Sequence, residues 1–168
     1  RLSIQQADCR IDELVETIVE TIGVQLEDSR IQLKRRIPPD LPLVFVDRQR
    51  IEQVLLNLLA NAIRHTPDGG SISISASGQA DGVEISVCDS GLGLSETDLG
   101  HVFDRFYRAD DARANDGGAG LGLSIAKALI DAHGGRIRAE NGLLGGACFH
   151  IVLPTTGPRL NPDADATA

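Results

Sequence analysis

Aromatic residues, methionine and long apolar runs are scarce or absent. Phe, Tyr and Trp together make up 3% of the 168 residues, and neither Met nor Trp occurs, so the hydrophobic core must consist mainly of Leu, Ile, Val and Ala. No apolar run reaches the ~18 residues that a membrane-spanning helix needs, and the start of the chain lacks the apolar segment of a signal peptide. Because the chain does not begin with Met, we expect it to be a fragment of a longer protein.

Cysteine is also scarce. Cys9, Cys88 and Cys148 are odd in number and far apart, and no C-x-x-C pair is present. This pattern excludes a zinc ribbon and argues against a disulfide scaffold. A reducing compartment is the simplest expectation. Since Cys88 and Cys148 lie in apolar, strand-like runs, we expect both to be inert core residues.

The charge balance is acidic, with a formal net charge of -8. An acidic surface argues against a general nucleic-acid binder and against a binder of anionic membranes. Hydrophobic residues at 42% and charged residues at 24% are typical of a globular protein. The length of 168 residues is enough for one domain with its own core.

Hydrophobic periodicity divides the chain into helices and strands. Apolar residues at helical spacing predict helices over residues 11–28, 48–65 and 121–132, with a further short helix around Phe103. Strands are predicted over residues 31–37, 43–46, 71–77, 83–88, 136–140 and 148–153. We therefore predict an α/β fold in which helices cover one face of a mixed or antiparallel sheet, a two-layer sandwich.

A polar edge runs along the helix predicted over residues 48–65. Gln53, Asn57 and Asn61 are four residues apart and so stack on one face, and Arg64 and His65 continue that edge. Neutral amide oxygens suit a hard cation that already has phosphate oxygens and waters as ligands. The alternative is a solvated helix edge, or Asn side chains that cap a neighbouring loop.

An acidic residue, Asp89, ends the apolar strand predicted over residues 83–88, and Gly91 and Gly93 follow it. A half-buried carboxylate at this place can accept a hydrogen bond from a ring amino group, while the glycines let the ring approach the backbone. Such a charge-assisted bond contributes ~1.5–3 kcal/mol. The alternative is an ordinary Asp-Ser-Gly turn.

Two further segments are unusual in composition. Residues 102–108 hold three of the five aromatic residues, interleaved with Arg105 and Arg108. They predict either a loop anchored on the core by Phe103 and Phe106, or a lid whose Arg reaches a phosphate.

The second of these segments, residues 117–124, has four glycines in six positions, and an apolar helical segment follows it. Glycine lets backbone N–H groups turn toward a ligand, and a helix N-terminus adds unpaired N–H groups and a positive dipole end. The segment therefore predicts a phosphate-binding loop, with a ligand-free surface loop as the alternative.

These motifs, in this order, resemble the catalytic ATP-binding domain of bacterial two-component sensor histidine kinases. Residues 57–62 resemble the N box of that family, 89–93 the G1 box, 103–108 the F box and 118–124 the G2 box. The resemblance runs from about residue 10 to Pro154. It implies a Bergerat-type (GHKL) sandwich, with a mixed sheet of about five strands under three helices. We assign residues 1–156 to this domain, with 1–10 as a linker from a missing dimerisation hairpin, and 157–168 to a disordered tail.

The resemblance also implies roles for individual residues. Asn61 would be the Mg²⁺ ligand, Asn57 would help to place metal and phosphate, and Asp89 would hold the adenine amino group. Arg64 would meet phosphate oxygens, and residues 95–120 would form a lid over ATP. The complete set of ATP-binding residues implied in this way is Asn57, Asn61, Arg64, His65, Asp89, Gly91, Gly93, Tyr107, Arg108, Gly118, Gly120, Leu121, Gly122 and Leu123.

The implied activity is transfer of the γ-phosphoryl group of Mg-ATP to a histidine on a separate phosphoacceptor hairpin, for onward transfer to a response regulator. None of His65, His101, His133 and His150 has the sequence setting of that acceptor, so we expect the chain to bind ATP without phosphorylating itself. A Thr often stands where this chain has Ala147, and losing one hydrogen bond there would weaken binding by ~1 kcal/mol. We expect a cytoplasmic domain of a parent anchored in the bacterial inner membrane, with no direct membrane contact and no nucleic-acid partner.

Three other function classes compete with this interpretation. A gyrase- or chaperone-type ATPase needs a carboxylate at the position of Asn57 to activate water, and Asn cannot act as that base. A non-catalytic binding module is disfavoured by the intact Asn61, Asp89 and glycine-rich run. A Rossmann dinucleotide site is disfavoured because a polar run, not a strand, precedes Gly117.

Overall fold

The structure is a computed structural model that describes residues 3–107, 122–143 and 145–155. In chain order its elements are β1 (Ala7–Cys9), α1 (Ile11–Leu26), β2 (Gln32–Arg36), β3 (Val44–Val46), α2 (Arg48–His65), β4 (Ser71–Gln79), β5 (Gly82–Asp89), α3 (Glu96–His101), α4 (Gly122–Ala132), β6 (Arg136–Asn141) and β7 (Ala147–Pro154). Strand β1, which lies within the range predicted as a linker, pairs antiparallel with β3.

The main sheet has five strands in the order β2-β4-β5-β7-β6. Strand β2 is parallel to β4, and every other neighbouring pair is antiparallel. The mixed five-stranded sheet of the sequence prediction is therefore confirmed. Strand β5 is central, so the residue at its carboxyl end, Asp89, lies in the middle of one edge of the sandwich.

One face of the sheet forms the core together with the helices. Along β5, Val83, Ile85 and Val87 are buried, while the residues between them point to the opposite face. The apolar faces of α1, α2 and α4 join the same buried cluster. These three longer helices agree with the predicted sandwich, and α3 is a fourth helix of 6 residues.

Helices α2 and α4 run antiparallel, and hydrogen bonds join both ends of α4 to α2 and its cap. Asp47 caps the start of α2, where its side chain accepts a hydrogen bond from the Arg50 N–H at 3.3 Å. The N–H of Asp47 donates to Nε2 of the buried His133 at 3.0 Å, and His133 Nδ1 donates to the Leu129 carbonyl at 2.7 Å. His133 thereby ties the end of α4 to the beginning of α2.

The remaining helix predictions need small corrections. Helix α1 ends at Leu26 rather than at residue 28, and the short helix expected around Phe103 lies at Glu96–His101. Ser95 caps that short helix by accepting the Asp98 N–H at 3.1 Å, and acidic residues in the first turn favour a helix start there. Within the described ranges, no helix combines the length and apolarity that a membrane crossing requires. The predicted tail, 157–168, lies outside the described residues.

The expectation that Cys88 and Cys148 are inert core residues was wrong. Cys88 and Cys148 are opposite each other in the β5–β7 register, and a disulfide joins them, with 4.1 Å between their Cα atoms. The two cysteines are 60 residues apart in sequence, so only the sheet pairing reveals the contact. Cys9 is buried and free.

Candidate functional site

Asp89 is a buried carboxylate held by backbone donors. Its Oδ1 accepts the Gly91 N–H at 2.9 Å and the Ala147 N–H at 3.3 Å, and the residue is only 7% exposed. Because both bonds fall on Oδ1, Oδ2 is the oxygen left for a ligand. The Gly91 bond is that of the Asp-Ser-Gly turn given as the alternative, and the donor from β7 is a contact beyond the turn.

The two glycines after Asp89 are required by the protein's own packing. A Cβ on Gly91 would lie 2.1 Å from the carbonyl oxygen of His65, at the end of α2. Gly93 has a φ of +78°, and a Cβ there would lie 2.8 Å from Asn141 Oδ1. Gly91 therefore brings the loop after Asp89 into contact with the helix that carries the predicted amide residues.

Asn141, at the end of β6, is a residue that the sequence interpretation missed. Its Oδ1 accepts the Leu94 N–H at 2.8 Å, and its Nδ2 donates to the Leu94 carbonyl at 2.7 Å. This two-point contact fixes the far end of the loop after Asp89 to the sheet. In the sequence, Asn141 is recognisable only as a polar residue just before a glycine turn. Asn is common at turns because its side chain bonds to the local backbone, so this position did not indicate a long-range contact.

The polar edge of α2 becomes more buried toward the Asp89 loop. Gln53 is exposed, Asn57 is half-buried and Asn61 is 6% exposed. Nδ2 of Asn57 donates to the Gly122 carbonyl at the start of α4, at 3.1 Å. Oδ1 of Asn61 accepts from Arg64 Nη2 at 3.4 Å. The bond from Asn57 to Gly122 is of the kind that the second alternative describes, an Asn side chain that caps a neighbouring segment.

The aromatic segment after α3 is only partly anchored. The Phe103 ring packs edge-on against Phe149 with 6.1 Å between centroids. Phe106, in contrast, is 66% exposed and has a φ of +64°. The Tyr107 hydroxyl donates to the Asp98 carboxylate of α3. The anchoring interpretation therefore holds for Phe103 and is wrong for Phe106.

Part of the predicted site lies outside the described residues, namely Arg108, Gly118, Gly120 and Leu121. Of the same glycine-rich run, Gly122 and Leu123 form the first residues of α4. Gly122 is exposed and Leu123 packs partly against the core. This end of α4 faces the amide of Asn57.

The protein oxygens at the α2 edge are too few to hold a hard cation unless a bound molecule supplies further oxygen ligands. Within the part of the chain that the structure describes, no cluster of three or more His, Cys, Asp or Glu side chains could hold a metal ion. At the α2 edge, the buried Asn61 carries an amide oxygen, an atom type that can ligate Mg²⁺, and this oxygen accepts a hydrogen bond from Arg64. A Mg²⁺ ion there would need phosphate oxygens and waters to complete its octahedral shell.

A buried carboxylate thus ends the central strand of an α/β sandwich, beside a helix that presents amides. The family described as "Histidine kinase-, DNA gyrase B-, and HSP90-like ATPase" matches residues 46–157. The chain belongs to this family, and the predicted family and fold are confirmed.

Individual relatives narrow the class to histidine kinases. The chain is 34% identical over 155 residues to the adaptive-response sensory kinase SasA of Gloeothece citriformis. The matched region covers 92% of this chain and 39% of that protein. The catalytic domain of the histidine kinase ThkA superposes with a TM-score of 0.80 at 31% identity, covering 90% of this chain and 97% of that one. ThkA in complex with the response regulator TrrA superposes with a TM-score of 0.78 at 29% identity, covering 91% of this chain and 42% of that one. The chain spans about two fifths of the length of the curated relatives it matches, at 39% and 41% for two of them.

Proposed function

We propose that this chain binds Mg-ATP and donates the γ-phosphoryl group to a histidine on a separate dimerisation and phosphoacceptor hairpin of the same kinase. A response regulator would then receive the phosphoryl group. The observation that carries the proposal is the buried Asp89 carboxylate, whose Oδ1 is held by two backbone N–H groups. The family and its histidine kinase relatives support it.

In the proposed complex the site has two ends. At the adenine end, defined by Asp89, Gly91 and Asn141, Asp89 Oδ2 accepts a hydrogen bond from the adenine amino group. Burial strengthens this bond because water does not compete for the carboxylate. The fixed loop on Asn141 keeps the carboxylate and the backbone around it in one arrangement, so less ordering entropy is lost on binding.

At the phosphate end, defined by Asn57, Asn61, Arg64 and the start of α4, the ligand would be the triphosphate. Asn61 Oδ1 would hold Mg²⁺, which offsets phosphate charge. Arg64 lies on the next turn of the same helix edge, where its guanidinium can meet phosphate oxygens. The start of α4 adds N–H groups with a positive dipole end.

The chemistry proposed here is in-line displacement. The acceptor imidazole nitrogen forms a bond to the γ-phosphorus, the bond to the bridging oxygen breaks, and ADP leaves. Such transfer depends on positioning and charge stabilisation rather than on a covalent group of the enzyme. This chain would supply the position of the nucleotide, and the acceptor domain would supply the nucleophile.

The test is transfer between separate pieces. The chain is mixed with a separately produced acceptor hairpin and γ-labelled ATP, and the label on each protein is followed over time. We expect label on the hairpin and none on this chain alone. A hairpin that stays unlabelled while both pieces are folded would refute the transfer, and steady ATP turnover by the chain alone would favour an ATPase instead.

Calorimetric titration with a non-hydrolysable ATP analogue, with and without Mg²⁺, separates binding from transfer. A chain that binds the analogue but never labels the hairpin would be a non-catalytic module. The membrane anchor of the longer protein stays an expectation from the family resemblance alone.

A further inference from the structure

The Cys88–Cys148 disulfide joins the two strands that form the adenine end. Cys88 directly precedes Asp89 on β5, and Cys148 directly follows Ala147 on β7. The Ala147 N–H is the donor that reaches Asp89 Oδ1 from across the sheet, at 3.3 Å. The cross-link therefore lies next to the one inter-strand hydrogen bond that the Asp89 carboxylate makes among the described residues.

The disulfide is on the face of the sheet opposite the helices. Side chains alternate along a strand, so Cys88 and Cys148 point away from the core face that holds Val87 and Phe149. Ser73 on β4 and Glu140 on β6 are their outer register partners on this face. Cys88 is half-buried and Cys148 is 8% exposed, so the Cys88 sulfur is the more accessible to an attacking thiolate.

A short path of contacts connects the sulfurs to Asp89 through the β6–β7 turn. A Cβ on Gly142 would lie 3.4 Å from Cys148 Sγ, so this sulfur borders the turn. At the other end of the turn, Gly146 has a φ of +77°, and a Cβ there would lie 1.8 Å from the Asp89 carbonyl oxygen. The turn thus lies beside the disulfide on one side and the backbone of Asp89 on the other.

The covalent loop also encloses part of the site, whereas the α2 residues lie outside it. The cysteines are 60 residues apart, and the segment between them carries the loop after Asp89, helix α3 and helix α4. A cross-link at its two ends limits the positions that this segment can sample.

We propose that Cys88–Cys148 is a reversible thiol–disulfide site whose state sets the affinity of the adenine end for nucleotide. The disulfide form holds β5 and β7 together at the Asp89–Ala147 hydrogen bond and binds nucleotide more tightly. The dithiol form lets the two strand ends move apart and binds it more weakly. The effect on affinity depends on the proposed nucleotide site, whereas the thiol–disulfide site itself does not.

The reaction partner is a dithiol reductant or its oxidised form. One thiolate of the reductant attacks Cys88 Sγ, forms a mixed disulfide, and releases Cys148 as a thiolate. The second thiolate of the reductant then closes its own disulfide and releases Cys88. Two electrons pass from the dithiol to the protein, and the two protons that the dithiol loses are taken up by the cysteines. The reverse steps re-form the protein disulfide.

The first measurement counts thiols by mass. The chain, prepared without reductant, is unfolded and alkylated, and we expect label on Cys9 alone. After the folded protein is treated with dithiothreitol and then unfolded, we expect label on all three cysteines. Three labelled cysteines before any reduction, even after exposure to the oxidised dithiol, would overturn the proposal.

The second measurement is calorimetric titration with ADP in both redox states. We expect reduction to weaken ADP binding about three- to tenfold, as for partial loss of one buried hydrogen bond. The Cys88→Ser/Cys148→Ser variant should bind ADP as weakly as the reduced protein, with or without reductant. The Cys9→Ser variant should lose ADP affinity on reduction as the unsubstituted chain does. If the double variant does not fold, the two redox states of the unsubstituted chain still test the proposal.

Two outcomes of the titration separate the hypotheses. Equal ADP affinity in both states, with the disulfide shown by mass, would overturn the coupling while the nucleotide site stands. No ADP binding in either state would overturn the proposed function and the coupling together, and the thiol count would still decide whether the disulfide site is real.

Discussion

The two ends of the candidate site are built in different ways. At the adenine end, Asp89 bonds to Ala147, 58 residues away, and Asn141 bonds to Leu94, 47 residues away. At the phosphate end, Asn61 and Arg64 are three residues apart on one helix. The adenine end therefore exists only when the sheet is assembled, whereas the helical period already brings the α2 side chains of the phosphate end together. Only the start of α4 joins that end by a long-range contact, from Asn57 to Gly122. Perturbations of the sheet should consequently act on the adenine end first.

The largest expected effect is on stability, from reduction of the disulfide. Opening a loop of 60 residues increases the entropy of the unfolded chain, and we expect the free energy of unfolding to fall by about 2–4 kcal/mol. Urea unfolding with and without dithiothreitol measures this change. The Cys88→Ser/Cys148→Ser variant is the control, since reductant should leave its midpoint unchanged. Identical urea midpoints for the unsubstituted chain with and without dithiothreitol would contradict the prediction.

Next in size is the loss of nucleotide binding in Asp89→Asn. The amide replaces a charged acceptor and can turn a donor toward the adenine amino group, so binding should weaken by about 1.5–3 kcal/mol, roughly 10- to 150-fold. Calorimetric titration with ADP measures it. Asp81→Asn is the matched control, because that carboxylate is 66% exposed and only bridges Arg136. Unchanged ADP affinity in Asp89→Asn would remove the adenine end from the proposal.

A smaller effect is expected from Asn141→Ala, which tests whether the adenine end is independent of the phosphate end. Loss of the two exposed hydrogen bonds to Leu94 should loosen the loop and weaken nucleotide binding by about 1 kcal/mol, roughly fivefold. The loss should be the same for ADP and ATP, with or without Mg²⁺. Asn61→Ala provides the contrast, because it should reduce the Mg²⁺-dependent part of ATP binding. If Asn141→Ala acted only on Mg-ATP, the proposed division into two ends would be wrong.

The smallest effect concerns the start of α2, far along the helix from the amides. The hydrogen bond from the Gln5 N–H, helped by that from Arg50, holds the pKa of Asp47 below its usual range, although partial burial raises it. Since the folded-state pKa is depressed, the stabilisation is fully present above the unfolded pKa of about 3.9 and is lost as the pH falls through the folded value.

Asp47→Ala should therefore lower the free energy of unfolding by about 1 kcal/mol at neutral pH and by less in acid. Unfolding curves at several pH values would show this convergence. The ADP affinity of the folded variant should match that of the unsubstituted chain. A stability difference that grew toward low pH would show that the capping carboxylate is not the group responsible.

The regular elements were the most predictable part of the molecule. Helix α2 was predicted with its observed bounds, because its apolar stripe from Ile51 to Ala62 is continuous and Asp47 is a good cap. The five strands of the main sheet were predicted from alternation, and the family resemblance supplied their number. Helix α3 was misplaced because a helix of 6 residues has fewer than two turns, too few to show a periodic pattern. The prediction therefore followed the nearby aromatic residues instead.

The contacts across the sheet were the least predictable part. Cys88 and Cys148 were interpreted as separate core residues, and Asn141 was not singled out at all. The cysteine pair depends on the register of β5 and β7, which are distant in sequence, and the Asn141 contact depends on how the loop after Asp89 reaches the end of β6. A shift of one strand by one residue would turn its cysteine to the core face and separate the pair, and nothing local in the sequence specifies that register.

The sequence by itself determined which residues are candidates for the chemistry, because residue type and short spacing decide whether an amide edge, a terminal carboxylate or a glycine-rich run exists. Tertiary structure alone decided which of them meet. It placed the Ala147 N–H on Asp89, paired the two cysteines and brought Asn141 to Leu94. The physical reason is that hydrogen bonds and disulfides require atoms within a few ångströms, and only the packed sheet brings residues so distant along the chain that close.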